Sequence, residues 1–185
     1  TANGSYDGNI TVTGIKSDPL RWYDYWYDTD WGYRVKVTVD STTVDSSLTD
    51  YPLYIDLSEL PSGFHINVNQ TDARDIRVTE SDGGTELPRE VVYYDSTTDS
   101  GELYFKGDIS SSADTDFYIY YGNSSVTDYA VDATYGRNNV WTNGYVAVWH
   151  FQESSGSIID STGNNDATTS GTTFTSSGKY GGAQN

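Results

Sequence analysis

Residues 116–123 read D-F-Y-I-Y-Y-G-N, and the way this stretch is paired decides the fold. A strand-favouring run that begins at Thr115 is stopped by Gly122 and Asn123. In an extended chain Phe117, Ile119 and Tyr121 share one face, and Tyr118 and Tyr120 share the other. Both faces are aromatic or aliphatic, which predicts a central strand covered on both sides, as in a sandwich.

Working back from this strand, short apolar alternations recur with turn chemistry between them. Tyr33, Val35, Val37 and Val39 alternate with Arg34, Lys36 and Thr38, the pattern of a half-buried strand. A polar connection, Asp40–Asp50, leads to Leu53, Ile55 and Leu57, with Pro52 at the entrance. Leu60-Pro61-Ser-Gly63 is a turn, and the alternation Phe64, Ile66, Val68 predicts a short strand after it. Ile76 and Val78 predict another, followed by the hairpin signal Ser81-Asp82-Gly83-Gly84 and a return strand over Glu86–Tyr94. Leu103–Phe105 precedes the central strand. This rhythm predicts an all-β fold, an antiparallel, jelly-roll-like β-sandwich over residues 20–123.

The flanks read differently. Residues 1–19 form an extension around Ile10-Thr-Val12-Thr, set apart by Gly14 and Pro19, and such a strand needs a partner for its backbone. Beyond Asn123 the apolar rhythm lapses until Val140. Tyr145–Phe151 then predicts one strong strand, so residues 124–185 read as a linker and the start of an incomplete second β unit. Residue 1 is not methionine and the chain contains none, which implies processing or excision from something longer.

Composition narrows the setting. The 185 residues are only 35% hydrophobic, but 17 tyrosines and 5 tryptophans supply large areas for burial. Cysteine is absent, so disulfides and thiolate chemistry are excluded. A net charge of -17 repels phosphate backbones and anionic membranes, which argues against nucleic-acid partners. No window of apolar residues is long enough for a membrane span.

The ordered set Trp31-Gly-Tyr33-Arg34, Tyr51-Pro52-Leu-Tyr-Ile55, Asp75-Ile76-Arg77-Val78, Asp82-Gly83, Leu87-Pro88-Arg-Glu90 and Tyr120-Tyr121-Gly122-Asn123 resembles a prokaryotic family known as domain of unknown function 2341. The resemblance covers about residues 20–123. Val146-Ala-Val-Trp-His-Phe151, Asp160-Ser-Thr-Gly163 and Gly178-Lys-Tyr-Gly181-Gly182-Ala183 resemble the opening of a concanavalin-like, laminin-G-type jelly roll, over about residues 140–185. The resemblance implies a β-sandwich in a large secreted or surface-attached protein. It implies no activity and no catalytic residue.

Several groups are candidates for chemistry. Trp22, Tyr23, Tyr25, Trp26, Tyr27 and Trp31 can form a ligand-binding platform for sugar rings, with core packing as the heavier alternative. Asp24, Asp28 and Asp30, and separately Asp160, Asn164 and Asp166, have spacings that can collect oxygen ligands around calcium; Asx-turns explain them equally well. Asn3, Asn9, Asn69 and Asn123 begin glycosylation triplets. His65 and His150 lie apart without motif partners, and G-x-S-x-G is absent. Tyr54-Ile55-Asp56-Leu57-Ser58-Glu59 approaches the carboxylate strand of concanavalin-like glucanases, but tyrosine stands where the first carboxylate belongs.

The expected function is a non-catalytic extracellular or cell-surface module in adhesion or glycan recognition. The alternative is a structural subunit of a filament or surface layer, in which Ile10, Val12 and Ile15 pair with the sheet edge of another copy.

Overall fold

The computed structural model describes residues 10–15, 26–178 and 181–185. Among the described residues, ten strands make up three antiparallel sheets: β1 (Ile10–Ile15), β2 (Tyr33–Val39), β3 (Leu48–Asp56), β4 (Arg77–Glu80), β5 (Glu86–Leu87), β6 (Arg89–Asp95), β7 (Ser100–Ile109), β8 (Thr115–Tyr121), β9 (Phe174–Gly178) and β10 (Gly181–Gln184). One sheet has the order β1-β2-β8-β4-β5 and a second the order β3-β7-β6, while β9 and β10 form a hairpin. The chain is an all-β sandwich, and β8 lies between β2 and β4 as its two apolar faces require.

The core lies between the first two sheets. Val35, Val37 and Val39 of β2 and Phe117, Ile119 and Tyr121 of β8 are buried together with Leu53, Ile55, Leu103 and Phe105 of the second sheet. Phe105 meets Phe117 edge-on with ring centroids 4.9 Å apart. Gly107 of β7 makes this approach possible, since a Cβ there would lie 2.8 Å from the Phe117 ring. The stop after β8 has a similar cause. Gly122 has φ +93°, and a side chain on it would strike the Tyr33 ring.

β1 is an edge strand paired with β2 of the same chain, Val12 opposite Val37 and Ile15 opposite Val35. Its ladder to the sheet is therefore filled from within the molecule. Asp82 caps the β4–β5 hairpin by accepting from the Gly84 and Thr85 amides at 2.9 and 2.8 Å.

Three sequence expectations need correction. Phe64, Ile66 and Val68 do not form a strand; Gly63–Asn67 is a short helix, α1, with Phe64 buried and Ile66 80% exposed. The Pro61 carbonyl starts the turn by accepting from the Phe64 amide, and Val68 returns to Phe64 at the i to i+4 distance. The return strand Glu86–Tyr94 is divided at Pro88: β5 stays with β4, and β6 crosses to pair with β7. Proline has no N–H for a ladder, so the chain changes sheets there. Tyr145–Phe151 is not a sheet strand. A single bridge pairs Trp149 with Asp160, and side chains take up the neighbouring backbone groups, Asn165 donating to the Val146 carbonyl at 2.7 Å.

Among the described residues, no helix is long and apolar enough to cross a membrane.

Candidate functional site

The three-stranded sheet has one face in the core and one toward solvent. Leu53 and Ile55 point inward on β3, so Tyr54 and Asp56 point outward; Leu103 and Phe105 do the same for Glu102 and Tyr104 on β7. Register then builds two rows: Tyr54, Tyr104 and Glu90 lie side by side, and Asp56, Glu102 and Tyr93 lie in the next row. The Tyr54 and Tyr104 rings are 5.2 Å apart. The aromatic face continues from Tyr104 to Trp141 at 5.1 Å, and from Trp141 to Tyr145 at 5.3 Å. Tyr54 and Tyr145 remain 41% and 42% exposed, so their rings are available to a flat ligand. Burial pushes the Tyr104 phenol up to about 12, with Glu102 and Glu90 adding to the effect, so it stays a neutral hydrogen-bonding group at ordinary pH.

The rear of this face is organised by Glu90. Its carboxylate is buried and accepts from Trp141 Nε1 at 2.6 Å and Ser161 Oγ at 2.5 Å, with His150 Nε2 at 3.3 Å. These bonds hold the segment from Arg137 to Ser161 against β6. Between segment and strand lies a cavity of about 190 Å³ whose lining includes Arg89, Glu90, Arg137, His150, Glu153 and Ser161. That is below the roughly 300 Å³ at which pockets for drug-sized ligands begin.

The aromatic cluster singled out near the N-terminus is placed differently. Trp22, Tyr23, Asp24 and Tyr25 lie outside the described residues, as do Asn3 and Asn9. Trp26, Tyr27 and Trp31 pack over the outer face of the five-stranded sheet. Trp26 meets Tyr120 edge-on at 5.2 Å, Tyr27 donates to Glu86 Oε2 at 2.6 Å, and Trp31 is buried and donates to the Asp75 carbonyl at 2.5 Å. These three rings pack over one sheet, whereas Tyr54 stands open on the other.

The acidic loops are also internally occupied. Asp28 accepts from the Asp30 amide at 2.9 Å in an Asx-turn. Asp160 is buried and accepts from the amides of Val148, Thr162, Asn164 and Asn165 and from the Thr162 hydroxyl. Burial alone would raise its pKa, but these donors hold it well below the usual carboxylate range. Both oxygens of the Asp160 carboxylate are thus engaged, by Val148 and by donors from its own loop. Asp166 accepts from the Asp160 amide at 2.9 Å, and Asn164 donates to Thr162. Among the described residues, no three acidic or histidine side chains converge as a metal site. Asn69 is exposed, whereas Asn123 is buried with its side-chain oxygen capping Ser125 and Val126.

The sequence marks Tyr54 and Asp56 only inside the glucanase-like stretch 54–59, where tyrosine replaces a carboxylate, and does not mark Glu102 or Tyr104. The signal of all four is the outward half of the alternations whose inward half, Leu53, Ile55, Leu103 and Phe105, predicts the strands.

Asp56 and Glu102 face each other across β3 and β7, where like charges destabilise a sheet. Burial raises the Glu102 pKa, His150 lowers it and Asp56 raises it, with a net upward shift. A carboxyl with a raised folded-state pKa has no penalty below its unfolded value and the full penalty above its folded one. Relative to Glu102→Gln, the wild type is therefore expected to lose stability as pH rises upward from the ordinary glutamate range. Urea unfolding of both proteins across the carboxylate range checks this, and a pH-independent difference between them contradicts it.

Residues 72–168 match the family described as domain of unknown function (DUF2341). No curated protein matches the chain, and no solved structure does. The matched span starts just before β4 and ends past Asp160, so it includes β6, β7, Glu90 and the whole segment held against them. It extends beyond Asn123, where the motifs of the resemblance end, and takes in Asp128 and Trp141, which bond to Arg89 and Glu90 of the sandwich. With more than half of its length in the match, this chain belongs to the DUF2341 family.

Proposed function

We propose that the chain is a non-catalytic, extracellular module that recognises glycan chains through the outer face of its three-stranded sheet. The observation that carries this reading is the outward row of Tyr54 and Tyr104 beside Asp56 and Glu102. Aromatic faces stack on the C–H surfaces of pyranose rings, and carboxylates accept hydroxyl hydrogen bonds. The setting is supported by the strong negative charge and the family resemblance. The likeness of residues 140–185 to the opening of a concanavalin-like jelly roll belongs to the same proposal, that of tandem β-modules outside the cell.

The test is a glycan array followed by calorimetry on the best polysaccharide, with and without calcium. Tyr54→Ala is expected to weaken binding by about tenfold or more while leaving the fold intact, since Tyr54 is an exposed residue on a strand. Failure to bind any glycan in either condition, or equal binding by the variant, overturns the reading.

A further inference from the structure

The cavity behind Glu90 differs from an ordinary packing defect in its unspent valences. Two buried polar atoms of its lining have no partner among the described residues, Nε of Arg137 and Oε2 of Glu153. The other charged groups are already engaged. Arg89 donates to the carbonyls of Ile76 and Arg74 and to Asp128 at 2.7 Å, while Glu90 is taken by Trp141, Ser161 and His150. Glu153 uses its other oxygen to accept from the Ile159 amide at 2.9 Å. Among the buried polar atoms of the described lining, one donor and one acceptor are thus left without a partner. Apolar surface from Val91, Val131 and Ile159 completes the lining.

We propose that this cavity is a subsite for a single neutral polyol, the size of one pyranose residue. A hydroxyl both accepts and donates, so adjacent hydroxyls can accept from Arg137 Nε and donate to Glu153 Oε2. An anion satisfies the arginine but is repelled by Glu90, Glu153 and Asp128, and a cation meets Arg89 and Arg137. A neutral ligand has neither conflict. The volume of about 190 Å³ corresponds to roughly six water molecules in the liquid, enough for one sugar ring and too little for an oligosaccharide. Glu90 and His150 belong both to the cavity and to the surroundings of Tyr104 and Trp141, so the subsite adjoins the aromatic face. The inference rests on the glycan-recognition reading and adds the site that would take one residue of the chain.

Saturation-transfer NMR of the ligand, paired with methyl-detected NMR of the full chain, tests it, using the methyl glycosides of glucose, galactose, mannose and N-acetylglucosamine as probes. At least one is expected to bind and to shift the methyl resonances of Val91 and Val131. Glu153→Gln keeps the acceptor for the Ile159 amide, and Arg137→Lys removes the Nε donor. Each is expected to weaken that binding by about tenfold. No saturation with any of the four glycosides, or shifts confined to residues outside the cavity, means that the space holds water only and overturns the proposal. So does binding unchanged in both variants. The methyl-shift readout needs no substitution, so it decides the matter even if a variant fails to fold. Polysaccharide binding lost in Tyr54→Ala but intact in Glu153→Gln and Arg137→Lys removes the subsite and leaves the platform standing.

Discussion

Glu90→Ala is expected to destabilise the protein by about 3–5 kcal/mol, on the order of 10 °C in melting temperature for a chain of this length. Trp141 Nε1 and Ser161 Oγ both donate to this one buried carboxylate, and His150 adds a third contact. Truncation orphans two donors in places where water has little access, since Trp141 and Ser161 are themselves buried. Glu90→Gln is expected to cost less, because one oxygen remains to accept while the new amide group faces the other donor. The effect also has a location. Residues 137–161 should gain hydrogen exchange before the β2–β8 ladder does, because Glu90 is what fastens them to β6. Thermal melts together with exchange mass spectrometry check both parts. A melting temperature within a degree or two of the wild type shows that Glu90 is not the fastening, and uniform loss of protection shows that the segment does not open separately.

The same segment marks the limit of what local sequence reveals. The core strands are legible because each side chain's direction follows from an alternation of period two, and the burial of Val35, Val37, Val39, Phe117 and Ile119 agrees with it. Tyr145–Phe151 has an equally strong alternation and does not form a ladder. Alternation specifies faces, and it takes a neighbouring strand to make a sheet; here Asp160 and Asn165 side chains occupy the neighbouring backbone groups. Phe64, Ile66 and Val68 fail for a related reason. Phe64 and Val68 are spaced for one helical turn as well as for alternation, and a Pro-Ser-Gly lead-in resolves the choice toward helix. The candidate site was half legible. Trp26, Tyr27 and Trp31 are conspicuous as a cluster, and clustering is what a sheet-covering patch and a ligand platform have in common. Tyr54 and Tyr104 stand 50 residues apart in the chain, and only the pairing of β3 with β7 brings their rings together. The Glu90 hub depends on contacts with residues 51, 60 and 71 positions away, which no local pattern encodes.

Arg77→Met is expected to cost about 3–5 kcal/mol, a loss comparable with that of Glu90→Ala but with a different origin. Arg77 is 1% exposed and joins four parts of the molecule. It donates to the carbonyls of Arg74, Ile76 and Thr127, and its Nε lies 3.4 Å from Glu86 Oε1. Its guanidinium also lies over the Trp31 ring at 5.3 Å and the Tyr129 ring at 4.5 Å. Methionine conserves much of the volume, so the change removes charge and hydrogen bonds more than packing. What it leaves behind is Glu86, a buried carboxylate still accepting from the hydroxyls of Tyr27 and Tyr129 but without its ion-pair partner, the charge of Arg89 acting on it only as a weaker neighbour. An uncompensated buried charge is the dominant cost of breaking such a pair. The double replacement Arg77→Met with Glu86→Gln should therefore recover part of the loss, giving a coupling of at least about 1 kcal/mol in a double-mutant cycle. Chemical denaturation of the four proteins measures it. Strict additivity would place the role of Arg77 in its carbonyl and ring contacts, and the ion pair with Glu86 would then contribute nothing to holding the Trp31 segment and residues 127–129 to the sheet.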